Sequence, residues 1–562
     1  MPKDKFAIGI DYGTESGRVV VTRVRDGELV GQTVVPYPDG VIDERLPGSH
    51  TRLDHDWALQ NPADYLLVVE KGVPRALKEA GIRAEHVIGV GTDFTASSPM
   101  PALRDGTPLC FVAKYRKQPH AWVKLWKHHA AQAEANRINE VGRDRDEEFI
   151  RVYGGRYSSE WFFSKLLQIL DEAPAIYQAT ERFIEAADWI VWQLTGEEKR
   201  NTCTAGYKAM WVKGRGFPSP EFFRAVKPGF ETMFDKVADT YYPLGANAGG
   251  LTPQWARKCG LKAGTPVSIG NVDAHVAVPA CTVVEPGSLV MIMGTSICHM
   301  LLGTERQMVE GMCGAVEDGI VPGLWGYEAG QSAVGDIFGW FFEHGVPDYI
   351  QREARKLKVP FTEVLEKRAA APKPGASGLV ALDWWNGNRS VLVDVDLTGL
   401  LLGMTLATRA EEIYRALIEA TAYGTRQIIE AFNSKGVPVK SLVACGGLPE
   451  RNPLLMQIYA DVTGLEIKLA DPLMTCSALG AAMHGAVAAG VAAGGYNTIF
   501  DAAKHMAHVQ RKTYRPNAQR HEIYNELFKE YQTLHDYFGR GVNDVMKRLK
   551  ELKRRVATGG DN

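Results

Sequence analysis

The chain contains 562 residues, of which 45% are hydrophobic and 23% are charged, and its formal net charge is −2. This length exceeds what a single hydrophobic core supports and predicts two large domains with additional segments. The charge balance argues against a nucleic-acid partner, because such a partner requires a concentrated basic surface.

Two similar turns lie far apart in the chain, each between two apolar runs. The first contains Gly13 and Thr14, and the second contains Gly294 and Thr295. This pattern is typical of a β-hairpin, in which each apolar run forms a strand and the glycine and hydroxyl residue form the turn. The glycine lets the backbone of the turn approach an anion. Such a pair predicts a duplicated α/β domain that holds phosphate groups from both sides, while two unrelated hairpins stay open as the alternative.

Between the two hairpins, polar residues follow the ends of predicted buried strands. Strand 87–91 leads into residues 92–97, and strand 266–270 leads into residues 271–275. Residues 110–215 differ from their surroundings because they are rich in aromatic side chains. We expect most of these aromatics to form a helical core, although aromatic faces also stack on sugars and a few could line a pocket.

The second half of the chain contains further strand and helix signals. Strand 442–445 leads into two glycines, and Pro453 is a favourable first residue for the next helix. The Ala- and Gly-rich helix 478–490 is expected to pack closely on a sheet, and apolar residues recur every three or four positions in a charged tail. The predicted units are an N-terminal domain (1–285), which includes the aromatic-rich insertion, a C-terminal domain (286–515) and a helical tail (516–562).

Several well-known sites are missing from the sequence. It has no dinucleotide-binding glycine motif, no P-loop, no serine-hydrolase elbow and no His-Glu-x-x-His helix. The eight cysteines form no Cys-x-x-Cys pair and no cluster with zinc spacing, which is typical of buried thiols in a reducing cytoplasm. The longest weakly polar stretch, 479–495, is too short to span a bilayer, so we expect a cytoplasmic protein without a membrane partner.

Taken together, these segments resemble the FGGY family of carbohydrate kinases. Residues 9–14 resemble the first phosphate turn of the actin, Hsp70 and sugar-kinase superfamily, residues 294–296 resemble the second, and residues 445–447 resemble its adenosine motif. The resemblance covers nearly the whole chain. It implies two RNase H-like α/β domains that flank a central catalytic cleft, with ATP mainly on the C-terminal domain and a small sugar mainly on the N-terminal one.

Three further segments, 126–132, 155–161 and 203–211, resemble the family members that phosphorylate L-ribulose. This resemblance implies transfer of phosphate from ATP, with Mg²⁺, to the 5-hydroxyl of L-ribulose, a step of L-arabinose catabolism. A family member acting on xylulose, D-ribulose, ribitol or glycerol is the alternative. A second alternative is a non-catalytic descendant, which would lack the acidic residues; Asp11 and Asp273 are present and argue against it. A third is an actin-like filament protein or chaperone ATPase, which would not need the aromatic insertion.

The resemblance also implies roles for single residues, and their chemistry suits those roles. Asp273 follows a strand end and is the expected acceptor of the sugar hydroxyl proton, with a helix N-cap as the alternative. Asp11 is expected to reach Mg²⁺ through water, although Asp is also common in turns. The residues expected to bind the sugar are Ala96, Trp126, Lys208, Asp273 and Glu328.

Lys208 and Glu328 lie in largely apolar surroundings, where an unpaired charge is costly. Both could therefore contact sugar hydroxyls or form a structural ion pair with each other. Phosphate contacts are implied for the two hairpins, and a second copy of the chain is a further candidate partner. The residues expected to bind ATP are Gly13, Thr14, Gly294, Thr295, Gly335, Gly446, Gly447 and Asn452.

Overall fold

The computed structural model describes residues 4–557. Its frame consists of two seven-stranded sheets, one in each half of the chain, and smaller two-stranded sheets. The strands are β1 (Phe6–Tyr12), β2 (Ser16–Arg23), β3 (Leu29–Pro36), β4 (Leu59–Gln60), β5 (Val87–Phe94), β6 (Pro99–Ala102), β7 (Val123–Lys124), β8 (Arg182–Glu185), β9 (Arg200–Asn201), β10 (Tyr241–Tyr242), β11 (Asn247–Gly250), β12 (Pro266–Ser268), β13 (Asn271–Val272), β14 (Ser288–Met293), β15 (Ile297–Gly303), β16 (Gly314–Glu317), β17 (Trp325–Gln331), β18 (Val380–Leu382), β19 (Leu400–Leu402), β20 (Ser441–Cys445), β21 (Ile467–Asp471) and β22 (His508–Tyr514).

Helices cover the sheets and form the aromatic-rich insertion. They are α1 (Pro62–Leu67), α2 (Val73–Ala80), α3 (Gln132–Asp144), α4 (Glu148–Val152), α5 (Phe162–Glu172), α6 (Pro174–Ala179), α7 (Ala186–Thr195), α8 (Thr202–Lys208), α9 (Pro220–Val226), α10 (Pro253–Cys259), α11 (Asp273–Ala280), α12 (Gly335–His344), α13 (Asp348–Leu357), α14 (Phe361–Ala370), α15 (Ala410–Ser434), α16 (Gly447–Arg451), α17 (Pro453–Thr463), α18 (Cys476–Ala489), α19 (Ile499–Met506), α20 (Ala518–Gly539) and α21 (Val545–Ala557).

The N-terminal sheet brings polar strand ends together at one edge. Its order is β11-β12-β5-β1-β2-β3, and β13 also pairs with β5. The parallel register of β1 and β5 sets Asp11 opposite Asp93, and the register of β13 sets Asn271 opposite the same Asp93. Because the carboxyl ends of these parallel strands point the same way, the residues that follow them gather in one place.

The C-terminal sheet repeats this arrangement. Its order is β16-β17-β15-β14-β20-β21-β22, with β14 and β15 as an antiparallel hairpin and β20 parallel to β14. The N-terminal sheet likewise combines an antiparallel hairpin, β1 and β2, with the parallel strand β5. The two predicted glycine hairpins are therefore equivalent parts of a duplicated α/β unit, as the sequence predicts.

Helix α18 joins the two halves, because it belongs to the second half and packs on the first sheet. A Cβ atom on Gly9 would lie 1.8 Å from the Ala478 carbonyl oxygen, and one on Gly91 would lie 1.9 Å from that of Ala481. Only glycine permits such close backbone contact. The predicted tight packing of this Ala- and Gly-rich helix on a sheet is confirmed, but the sheet is the one in the other half of the chain.

The aromatic-rich insertion forms its own core. Most of its predicted aromatics are buried in helices and loops that pack on one another, for example Tyr153, Tyr157 and Trp161, whose rings are in contact. Trp126 is only partly buried, and it lines a cavity together with Tyr153, Tyr157 and Trp161. The prediction of a mainly helical core with a few pocket-lining aromatics is confirmed.

The predicted tail packs on the C-terminal half. Of the apolar residues that recur along α20, Tyr531 is buried, whereas Ile523, Leu527, Leu534 and Phe538 are only partly buried. The buried side chains of α20 are Tyr524, Phe528, Tyr531 and His535, so one face packs on the C-terminal half as predicted, but it is not centred on the predicted residues. Residues 558–562 of the tail lie outside the described residues, and the domain boundaries themselves stay predictions. Within residues 4–557, no helix has both the length and the apolar character that crossing a membrane requires.

Candidate active site

One cavity of about 870 Å³ is lined by residues from both halves of the chain. It brings together residues that the sequence analysis selected from widely separated segments. All of the predicted sugar-binding residues and part of the predicted phosphate-binding residues line it. These are Thr14, Ala96, Trp126, Lys208, Asp273, Gly294, Thr295 and Glu328.

The two glycine hairpins present similar turns to this cavity. The N–H group of Gly13 donates to the Ser16 carbonyl at 3.0 Å, and that of Gly294 donates to the Ser296 carbonyl at 2.9 Å. These two N–H groups are therefore used within the turns. The hydroxyl residues Thr14 and Thr295 of the two turns line the cavity, and their predicted contacts to phosphate stay predictions.

The predicted adenosine residues lie behind the second hairpin. Gly335 donates its N–H to the Gly294 carbonyl at 3.2 Å, and a Cβ atom on Gly446 would lie 2.3 Å from the Met293 carbonyl oxygen. Gly446 also has a φ of +102°, a conformation that favours glycine. Neither of these residues lines the 870 Å³ cavity as the described chain forms it, so their role in nucleotide binding stays a prediction.

The two remaining adenosine candidates lie at the next helix starts. Gly447 begins α16 and Asn452 precedes α17. The Asn452 side chain accepts from the Leu455 N–H at 2.9 Å and donates to the Tyr414 hydroxyl at 2.9 Å. Its amide is thus engaged within the protein as a helix cap, and any contribution to nucleotide binding would come through the turn that it shapes.

Three aspartates influence one another at the edge of the N-terminal sheet. Asp11 lies 3.6 Å from Arg18, and burial nevertheless raises the pKa of its carboxyl. Burial, followed by the charges of Asp11 and Asp273, holds the pKa of Asp93 well above its usual range. Neither carboxyl oxygen of Asp93 has a hydrogen-bond partner among the described residues. Three carboxyl groups close enough to affect one another, one of them without a partner, favour the approach of a cation.

Asp273 is the first residue of α11 and lines the cavity. Its carboxylate accepts from the Ala274 N–H at 2.6 Å. The N-cap position is occupied by Val272, whose side chain makes no capping bond, so Asp273 is not the N-cap that the alternative predicted. Burial and then the charge of Asp11 raise the pKa of Asp273 to about 7.

Lys208 and Glu328 form an ion pair across the two halves of the chain. The Lys208 Nζ lies 2.9 Å from both carboxylate oxygens of Glu328, and the side chains are only 6% and 9% exposed. Burial would raise the pKa of Glu328, but Lys208 and His275 outweigh it and lower the pKa to about 2. The structural ion pair predicted as one alternative is therefore present. The other alternative, contact with the sugar, stays a prediction, since both residues also line the cavity.

A buried carboxylate and a buried lysine hold the turn that contains Ala96. Glu185 accepts from the Ser97 hydroxyl at 2.9 Å and from the Ser98 N–H at 2.6 Å. From the other side, Lys165 donates to the Ser97 carbonyl at 2.8 Å. These contacts fix the shape of the cavity wall at Ala96.

Sequence reasoning assigned no role to Asp93, Glu185, Lys165 or Arg389. For Asp93 a signal was present, because it follows an apolar strand in the same way as Asp273. Arg389 lines the cavity from the second half and lies 3.7 Å from Glu160 of the first half. No local pattern marks such a contact, since it arises only when the two halves meet.

Solved structures of other proteins share the fold. A xylulose kinase from Rhodospirillum rubrum superposes with a TM-score of 0.76 at 21% identity, covering 94% of this chain and 98% of its own. A glycerol kinase from Plasmodium falciparum, solved with ADP, gives 0.72 at 13% identity, covering 94% and 98%. The protein thus has the two-domain α/β fold of sugar kinases, and the predicted fold class is confirmed.

Sequence comparison defines the family. The model of the N-terminal domain of the FGGY family of carbohydrate kinases matches residues 6–279, and that of the C-terminal domain matches residues 289–489. A ribulokinase from Geobacillus thermodenitrificans is 58% identical over 98% of this chain and 97% of its own length. A ribulokinase from Mycolicibacterium smegmatis is 49% identical over 98% and 96%. The chain belongs to the FGGY family of carbohydrate kinases, as its resemblance implied.

Proposed function

We propose that this kinase transfers the γ-phosphate of ATP to the 5-hydroxyl of L-ribulose, giving L-ribulose 5-phosphate and ADP in L-arabinose catabolism. The observation that carries the proposal is the cavity itself, which collects Ala96, Lys208, Asp273 and Glu328 between the two phosphate hairpins. The similarity to ribulokinases over nearly the whole chain supports the choice of sugar.

Asp273 is the proposed base. It lies in the cavity between the two halves, and its pKa of about 7 suits a group that must accept a proton near neutral pH. As the sugar hydroxyl attacks phosphorus, its proton passes to the Asp273 carboxylate. Thr14 and Thr295 supply hydroxyl donors to the phosphate oxygens from the two hairpins, a fixed polar environment that stabilises the developing charge.

The residues present fit Mg²⁺. Both Asp93 oxygens lack partners among the described residues, Asp11 lies beside Asp93 in the sheet, and oxygen ligands are those that Mg²⁺ prefers. Asp11, as predicted, and Asp93 would hold the ion, directly or through water. When bound, Mg²⁺ neutralises negative charge on the phosphates.

Lys208 and Glu328 would orient the sugar by hydrogen bonds to its hydroxyls, and Ala96 would leave room for the sugar chain. Trp126 donates its indole N–H to the Thr14 hydroxyl at 3.1 Å, so it links the sugar side of the cavity to the first phosphate hairpin. Gly335, Gly446 and the turn at Asn452 would surround the adenosine. A cytoplasmic location agrees with the eight cysteines, all of which are free.

Glu185 is expected to act as a positioning residue for the sugar. Glu185→Ala leaves the Ser97 hydroxyl and the Ser98 N–H without their acceptor, and a buried unsatisfied group costs about 1–3 kcal/mol. The KM for L-ribulose should rise roughly tenfold, while the KM for ATP should change little. Glu185→Gln keeps a carbonyl acceptor and should recover most of the loss. An equal rise in both KM values would instead indicate a general distortion of the site.

The proposed substrate can be tested by ADP release. L-Ribulose, D-ribulose, xylulose, ribitol and glycerol are compared at equal ATP and Mg²⁺ concentrations, and kcat/KM should be highest for L-ribulose. A hydrogen bond to a charged group contributes about 1.5–3 kcal/mol, so one misplaced hydroxyl should lower kcat/KM by roughly tenfold or more. A clear preference for another of these compounds would replace the proposal. The Asp273→Asn protein, purified in parallel, controls for contaminating kinases.

A further inference from the structure

Three buried cysteines from distant segments meet behind the candidate active site. Cys281 follows α11, Cys445 is the last residue of β20, and Cys476 is the first residue of α18. Their sulfur atoms all lie within 4.8 Å of one another. The side chains are almost completely buried in a core of mainly aliphatic residues.

Simple apolar packing does not explain this cluster well. A buried cysteine normally acts as a small hydrophobic residue with a protonated thiol. Here three sulfur atoms from separate elements converge within 4.8 Å, although the surrounding core offers aliphatic neighbours to each of them. The group therefore has the ligand atoms and the spacing of a site for a thiophilic cation.

We propose that Cys281, Cys445 and Cys476 form a three-sulfur binding site for a thiophilic metal ion, with Cu⁺ as the best-fitting ion. Soft thiolate ligands select Cu⁺, Zn²⁺ and related ions over hard cations. Metal–sulfur bonds of about 2.3 Å require sulfur atoms roughly 4 Å apart in a trigonal site, so the cluster needs only a small contraction. Zn²⁺ favours four ligands in structural sites, and three sulfurs are present here.

Binding would exchange protons for the metal. The ion forms bonds to the three sulfurs, and the thiols that are still protonated lose their protons to solvent, so no oxidant or reductant is consumed. The site lies next to the cavity, because Ser477, the neighbour of Cys476, lines the cavity wall. Cys476 also lies 2.9 Å from the Pro472 carbonyl oxygen, which accepts from its thiol in the metal-free protein.

The three cysteines are attached to elements that carry the proposed chemistry. Helix α11 begins with Asp273, β20 leads into the turn at Gly446, and α18 packs on β1 just before the first phosphate hairpin. A metal that ties these elements together would restrain any closing motion of the two halves and so inhibit turnover. The inhibition rests on the proposed function, whereas the metal site does not.

The site can be tested on the reduced, full-length protein under anaerobic conditions. Cu⁺ and, separately, Cd²⁺ are titrated in competition with a chelator of known affinity. We expect one ion per chain, a sulfur-to-metal charge-transfer band and three sulfur neighbours by X-ray absorption. Cys281→Ser and Cys476→Ser should each weaken binding by roughly tenfold or more, because even the loss of a group that only supports a ligand typically costs that much. Cys259→Ser, which removes a buried thiol elsewhere in the chain, should bind as the wild type does.

Two results would overturn the metal site: wild-type protein without three sulfur neighbours, or unchanged binding in both cluster variants. If a variant does not fold, the X-ray absorption of the wild type alone decides.

Inhibition is measured separately by ADP release with L-ribulose, each protein being compared with its own metal-free rate. We expect one equivalent of Cu⁺ to slow the wild type at least tenfold and a thiol chelator to reverse this. If the metal binds through three sulfurs and turnover is not slower, the proposed inhibition is wrong, whereas the proposed metal site is supported.

Discussion

Asp273→Asn is expected to lower kcat by roughly 10²–10⁴-fold, the usual loss when a general base is removed. Asparagine preserves the shape of the side chain but cannot accept the hydroxyl proton or supply negative charge. Binding of ATP with Mg²⁺ should persist, because the two phosphate hairpins are unchanged. The KM for L-ribulose should rise only moderately, since the amide can still hydrogen-bond a hydroxyl. Steady-state kinetics and ATP titration measure these quantities.

A matched control exists for the structural contribution of Asp273. Asp348 is likewise the first residue of its helix, α13, but it is exposed and lies outside the cavity. Asp348→Asn should therefore leave kcat unchanged and alter stability by less than about 1 kcal/mol. If Asp273→Asn instead kept near-normal turnover and lost thermal stability, Asp273 would be a structural residue and the proposed mechanism would be wrong.

Local patterns predicted the glycine hairpins and the buried strands, and the family resemblance predicted the two-domain frame. A hairpin with a glycine turn, or a buried strand followed by polar residues, involves only neighbours in the sequence, so the segments that contain Gly13, Gly294 and Asp273 could be recognised, while their roles came from the resemblance. The same patterns located the Ala- and Gly-rich helix α18. They could not show that α18 packs on the sheet of the opposite half, because that contact depends on how the two domains meet.

The parts that escaped prediction are held together by long-range contacts. Glu185 and Lys165 support the turn at Ala96 from separate elements, and neither belongs to a recognisable motif. The cysteine spacing argued against a zinc site, and the cluster of Cys281, Cys445 and Cys476 appears only in three dimensions. For Lys208 and Glu328 the sequence left two alternatives open, a structural ion pair or contact with the sugar. In the structure the two residues form an ion pair and also line the cavity, so a choice between these alternatives could not be made from the sequence.

Lys208→Ala is expected to affect both stability and sugar binding. Removing one partner of a buried ion pair typically costs about 3–5 kcal/mol, because the remaining charge is left without compensation. In this variant His275, 3.4 Å away, would remain beside the Glu328 carboxylate, and Arg389 would still interact with it electrostatically. The KM for L-ribulose should also rise roughly tenfold or more, while the affinity for ATP should change little. Denaturant unfolding and steady-state kinetics measure the two effects.

Combined substitution separates these two contributions. Lys208→Met with Glu328→Gln removes both charges at similar volume, and neutral replacements of buried ion pairs are often well tolerated. Lys213→Ala serves as the control, because Lys213 also pairs across the two halves, with Glu317, but is 46% exposed and should contribute little. If the pair contacts the sugar, the double variant should regain stability and keep a high KM for L-ribulose, since no charged group remains to bind the hydroxyls. Recovery of both stability and KM would show that Lys208 and Glu328 hold the two halves together without contacting the substrate.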